Sequence, residues 1–264
     1  MDKIRIIVRK EWAEVFKNKM VIFTVAFLPL IMTALPLIIL YSTRGTGLSD
    51  SLNSEMSQSI TGGICSTNLS GSECFQGYLV SQFMLMFMLI PLAIPITIAA
   101  YSIVGEKNSR SLEPLLATPI STMELLVGKG LAAVIPAILA TYGSFLLFIA
   151  GAWLIIPNTN VLFAFLDLRW LIAIFIVGPL MAILAVNLSL MISSRVNDPR
   201  AAEQISMVVI VPVLGLFFGQ MAGLFVLNKE IITVTAFILL VIDFFVVYLA
   251  IKVFDREAIL TRWK

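Results

Sequence analysis

Six stretches of this chain stay apolar for about the 20 residues that an α-helix needs to cross the hydrocarbon of a bilayer. They run approximately over Val21–Tyr41, Leu79–Val104, Leu131–Ile156, Trp170–Ile192, Ile205–Leu227 and Ile231–Val253. Only 13% of the residues are charged, 59% are hydrophobic, and the mean hydropathy is +1.01. An ordinary soluble domain carries roughly 25% charged residues. Too few polar groups remain to clothe a soluble particle, so the chain reads as an all-α integral membrane protein with one domain over residues 1–264. A signal peptide does not account for the first span, because no small-residue cleavage site follows before Tyr41.

The charges set the orientation. Fifteen of the eighteen Lys and Arg fall in the N-terminus, the loop 105–130, the loop 193–204 and the C-terminus. The other three, Arg44, Arg169 and Lys229, fall in the alternate segments. That bias places both termini and the 105–130 loop in the cytoplasm of a multi-pass cell-membrane protein. Within residues 1–19, Ile4, Ile7, Val8, Glu11, Trp12, Val15 and Phe16 recur at helical spacing among basic residues. This predicts an amphipathic helix lying in the cytoplasmic interface against membrane lipid. Phe254, Ile259, Leu260 and Trp263 repeat the arrangement on a smaller scale in the tail.

Absences exclude much chemistry. With no histidine and two cysteines, His-based acid–base catalysis, Ser-His or Cys-His nucleophiles and Cys-rich metal sites are removed. No phosphate loop is present: around Gly128-Lys129, Met123 stands where the first glycine should be and Gly130 where the hydroxyl should be. No catalytic residue, metal site, cofactor or nucleic-acid partner is expected in this chain. The polar segment 42–77 is the one long external loop. It holds Cys65 and Cys74, for which an external disulfide is expected, and the glycosylation-type triplet at Asn68.

Inside the spans the reading finds one ionisable candidate, Asp243. It is either a gate or cargo contact, or a protonated or hydrogen-bonded structural acid. Gly215, Gly219 and Gly223 follow one another at four-residue spacing behind Pro212. That stripe fits a subunit interface, an internal helix contact or a moving element, and Pro212 invites a kink. The Met-rich run Phe83–Met88 fits an adaptable cargo path, a lipid-facing surface or a gap filler. Few polar side chains line the spans, which favours amphipathic or lipid-like cargo.

The most informative stretch is the cytoplasmic loop. Ser121-x-x-Glu124 is a capping box for the third span, with Ile120 and Leu125 at the staple positions. Pro119 ends whatever helix precedes it. A short helix around Ser111–Ala117 then displays Leu112, Leu115 and Leu116 beside Arg110 and Glu113, a knob suited to a partner's groove. The run Gly105-Glu106-Lys107, then Leu112-Glu113-Pro114-Leu115-Leu116-Ala117-Thr118-Pro119, then Gly128-Lys129 resembles the loop between spans two and three of the ABC-2 type permeases. Those are the membrane subunits of ATP-binding-cassette exporters. The likeness extends over the six-span layout, although Arg110-Ser111 stands where many relatives have Gly-Thr.

The resemblance implies a permease that forms a homo- or heterodimer with a second permease copy and binds a separate ABC ATPase subunit. ATP and Mg would be held by that partner. It further implies a coupling loop built from Gly105, Glu106, Lys107, Arg110, Leu112, Glu113, Leu115, Leu116 and Pro119, and places spans two and five near the dimer axis and the cargo route. A stand-alone carrier or channel is the competing reading. It is disfavoured by the lack of paired charges within the spans.

Overall fold

A computed structural model of the chain describes residues 2–42, 71–108, 121–156, 168–222, 224 and 227–253. The elements described are all helical. Helix α1 (Asp2–Val15) precedes the first span, α2 (Lys19–Ser42). The second span is built from α3 (Gly71–Phe87) and α4 (Ile90–Asn108), and the third is α5 (Thr122–Ile155). The fourth is α6 (Leu168–Ile172), a π-helical turn (Ala173–Val177) and α7 (Gly178–Ser193). The fifth joins α8 (Pro199–Ser206), a 3-10 turn (Met207–Ile210) and α9 (Val211–Met221); the sixth is α10 (Lys229–Val253). Six of these continuous helical runs are long and apolar enough to cross a membrane.

Proline accounts for each interruption. Its ring lacks an N–H and collides with the carbonyl four residues back. In the second span, Pro91 cannot bond the carbonyl of Phe87. The chain tightens there, with Met88 and Leu89 donating three residues back, to Leu85 at 3.1 Å and Met86 at 3.0 Å. Pro212, read from the sequence as a kink, follows the 3-10 turn of the fifth span and opens α9. In the fourth span Pro179 stands just after the π turn, where Gly178 N–H reaches back five residues to Ala173. Pro179 leaves the Phe175 carbonyl without its helical donor. The hydroxyl of Tyr142, from α5, donates to that carbonyl at 3.4 Å while its ring packs on Phe175 at 4.8 Å.

The second span is the centre of the molecule. Of its most apolar window, 83% is buried, against 11% in the first span and 17% in each of the fifth and sixth. Helix α4 packs between α5 and α7, α2 lies on α5, and α10 lies on α7. In lipid, helices gain nothing from hiding apolar surface from water, so close packing decides the arrangement. Small residues permit it: Ala99 and Ala100 on α4, Ala133 and Ala137 on α5, and Ala182 and Ala185 on α7 are all buried. Met84 and Met88 of the Met-rich run are buried core side chains within this chain. The coupling helix 111–117, Arg110, Leu112, Glu113, Leu115, Leu116, Pro119, Ile120, Cys65, Asn68, the side chain of Cys74, Gly223 and the tail 254–264 lie outside the described residues.

Candidate functional site

Helix α5 has 34 residues and is therefore about 50 Å long, while the hydrocarbon is about 30 Å thick. Its length exceeds that layer by several turns. The predicted capping box starts it: Ser121 accepts from Glu124 N–H at 3.1 Å, and Glu124 accepts from Ser121 N–H at 2.8 Å. Against the N-terminal turns of α5 lies α1. Its buried face, Ile7, Glu11 and Val15, is turned onto α5 and the end of α4. The apolar stripe read from the sequence as lipid-facing is thus directed at the protein, leaving Lys3, Arg5 and Arg9 outward.

Two features let α1 lie so close. At Gly128, a Cβ would stand 2.7 Å from Ile7 Cγ2 and 3.0 Å from Ile7 Cβ, so the helix contact there needs glycine. One turn further on, Pro136 deprives the Ala132 carbonyl of its i+4 donor. The indole Nε1–H of Trp12 donates to that carbonyl at 2.9 Å. A buried carbonyl left unpaired would be costly, and α1 supplies the missing bond.

Between α1, α4 and α5 sits a closed charge cluster. Lys129 Nζ is 2.6 Å from Glu11 Oε1, 2.8 Å from Glu106 Oε2 and 2.8 Å from Ser102 Oγ. Its ammonium donates to Glu11 and Ser102 and forms an ion pair with Glu106. Ser102 Oγ–H donates in turn to Glu11 Oε2 at 2.5 Å. On the outer side, Lys10 Nζ lies 2.7 Å from Glu106 Oε1. Glu11 and Glu106 are each 2% exposed and Lys129 is 4% exposed. Two carboxylates and two ammoniums cancel, so the buried charge is compensated. Such a group survives burial only when opposite charges lie this close together. Lys10 is half-buried. Burial alone would lower its pKa, but the hydrogen bond and charge of Glu106, with Glu14 and Glu11 beyond, outweigh it and leave the value raised.

Glu106 and Lys129 bracket the loop between spans two and three. Of its other described residues, Gly105 is exposed at the end of α4. Lys107 reaches sideways, its Nζ donating to the carbonyls of Ser194 at 3.3 Å and Val196 at 3.2 Å. Those carbonyls follow the C-terminus of α7, where the helix dipole favours a cation. Lys107 thereby fastens the loop's base to span four as well.

The glycines of span five divide. Gly219 is buried, whereas a Cβ at Gly215 would meet nothing within 4 Å, so at Gly215 the stripe makes no tight contact within this chain. Asp243 is 6% exposed. The reading of Asp243 as the one carboxylate within the spans needs correction. Glu203 of α8 reaches span two, accepting a hydrogen bond from the buried Thr97 hydroxyl at 2.6 Å. Its helix leads through the 3-10 turn Met207–Ile210 into span five, which is why a boundary drawn at Ile205 excluded it. Among the described residues no group of acidic or cysteine side chains is placed to hold a metal ion.

Comparison with known proteins places this geometry in context. Residues 5–251 match the family model described as ABC-2 family transporter protein. No curated protein matches the sequence.

Proposed function

The chain belongs to the ABC-2 transporter family, and on that premise we propose that it is the permease subunit of an ATP-binding-cassette exporter. In this reading it lies in the cell membrane with both termini cytoplasmic, pairs with a second permease copy, and leaves ATP and Mg to separate ATPase subunits. The observation that carries the reading is the Glu106–Lys129 pair, 2.8 Å apart and tied to α1 through Glu11 and Lys10. A loop that passes the closure of an ATPase on to the membrane needs a base that does not deform. This pair closes the loop at its root and fuses α1, α4 and α5 into one body. Residues 109–120 then act as the docking piece, and a push on them moves the spans together.

The test is a Leu115→Asp, Leu116→Asp chain. A buried interface leucine contributes about 1–3 kcal/mol by area, and each new carboxylate adds a desolvation cost. The altered chain is expected to insert as before, because no span changes, yet to lose the ATPase and the ATP hydrolysis that purify with the wild-type chain. Undiminished recovery of the ATPase would make the loop a mere connector. A wild-type chain that purifies without any ATPase and still transports would be a stand-alone carrier.

A further inference from the structure

The buried residues of α10 are Ile232, Ala236, Leu239, Asp243, Val246 and Ala250, spaced alternately four and three apart. This is the seam along which the sixth span packs on α7 of the fourth. The outward residues, Phe237, Phe244, Phe245 and Tyr248 among them, are strongly exposed and suit lipid. Asp243 therefore occupies a core position of a helix–helix seam, where an aliphatic residue would pack without cost. Both of its carboxyl oxygens are buried, and neither has a hydrogen-bond partner among the described residues.

Among the described residues no neighbouring helix offers it a counter-charge. Helix α7 and the π turn contain no titratable side chain. On α6, Arg169 Nη1 is turned to the carbonyl of Leu227, beyond the far end of α10. On α5, Glu124 is in the capping box, Lys129 is in the charge cluster and Tyr142 is on the Phe175 carbonyl. On α10 itself, Lys229 and Glu230 open the helix, Lys252 ends it, and Tyr248 faces outward. An ionised carboxylate without a partner is among the most costly groups to hold in an apolar medium. The neutral acid is the form that suits the closed seam. The ionised form requires water, and water reaches it only if α10 parts from α7.

We propose that Asp243 is a proton-binding site that controls the seam between spans four and six: the seam closes on the neutral acid and opens when the carboxyl ionises. The ligand is a proton, and the moving element is α10. Because the closed seam holds one proton more than the open one, alkalinity favours opening. Between the ionisation ranges of the two forms the opening constant changes by about tenfold per pH unit. This goes beyond the permease reading and does not depend on a partner ATPase.

The experiment places a cysteine on the seam, at Leu239→Cys or Val246→Cys, in the full chain in membranes. Its reaction with a water-soluble maleimide is followed from about pH 5 to about pH 9, bracketing the ordinary carboxylate and the neutral range, and read on the peptide that carries it. Each rate is divided by that of the same cysteine in an Asp243→Asn chain, which cannot ionise; this removes the thiol's own pH dependence. Should the asparagine chain fail to fold, Asp243→Leu serves as the reference. The ratio is expected to rise with pH, approaching tenfold per unit over part of the range. A ratio that stays flat overturns the proposal, as does one that falls.

Discussion

The indole of Trp12 completes a bond that Pro136 breaks: Nε1–H lies 2.9 Å from the carbonyl of Ala132, the residue four places before that proline. Tyr142 does the same for Phe175 ahead of Pro179, at 3.4 Å. In both cases a proline within one helix creates an acceptor that an aromatic side chain of another helix fills. The proline thus serves contact between helices more than bending.

This relationship predicts a thermodynamic cycle. Trp12→Phe keeps the ring and removes the donor, so it should cost about 1–3 kcal/mol for the stranded carbonyl. Pro136→Ala restores a helical N–H to Ala132. In that background Trp12→Phe should cost appreciably less. Thermal unfolding of the four proteins in detergent checks it, and equal costs in both backgrounds would disprove the link.

Gly128 should resist replacement for a reason that lies on another helix. Gly128→Val meets Ile7, whose Cβ is already at 3.0 Å from the position of an added carbon. The expected overpacking cost is about 1–3 kcal/mol, with α1 displaced and cut faster by trypsin at Arg5 and Arg9. Ile7→Ala added to Gly128→Ala should restore much of the protection. Absence of any rescue would place the defect elsewhere.

The charge cluster should show a steep gradient from inside to outside. Lys129→Met leaves one buried carboxylate, that of Glu11, uncompensated, for about 3–5 kcal/mol, whereas Lys10→Met removes a part-exposed pair of the kind usually worth about 0–1 kcal/mol. The pH dependence of the Lys10 contribution follows from its raised pKa. It is fully present below the ordinary lysine value of 10.5 and is lost as pH rises through the higher folded value. The difference in unfolding temperature between wild type and Lys10→Met should thus stay level through neutral pH and shrink only above about 10.5. A difference that already fades near neutrality would contradict the pairing with Glu106.

Orientation can be tested with reporters. An enzyme that is active only in the cytoplasm should work when fused after Lys264 and fail when inserted near Asn53. The opposite pattern would reverse the topology.

The spans were legible because lipid imposes one simple rule on a long apolar run, and the start of α5 was legible because Ser121 and Glu124 are neighbours in sequence. The charge cluster was not. Glu11 appeared as one position on an amphipathic face, and nothing local relates it to Ser102, 91 residues away, or to Lys129, 118 residues away. The Glu106-Lys107 and Gly128-Lys129 pairs were singled out by resemblance, yet their physical roles came only with the fold: Glu106 and Lys129 pair, Gly128 admits Ile7, and Lys107 turns to α7. The proline-directed contacts were hidden for the same reason. Pro136 and Pro179 announce a vacant acceptor, but the donor sits on a different helix.

Trp12 and its acceptor lie 120 residues apart, and this separation bears on how the protein is made. At about 5–20 residues per second, roughly 6–24 s pass between synthesis of α1 and the emergence of its seat on α5. During that interval the first helix has no protein surface on which to hide Ile7 and Val15, and the membrane surface is the natural place for it to wait. Helix α1 is translated well before the seat it docks on, so its docking is complete only once the second and third spans have been delivered.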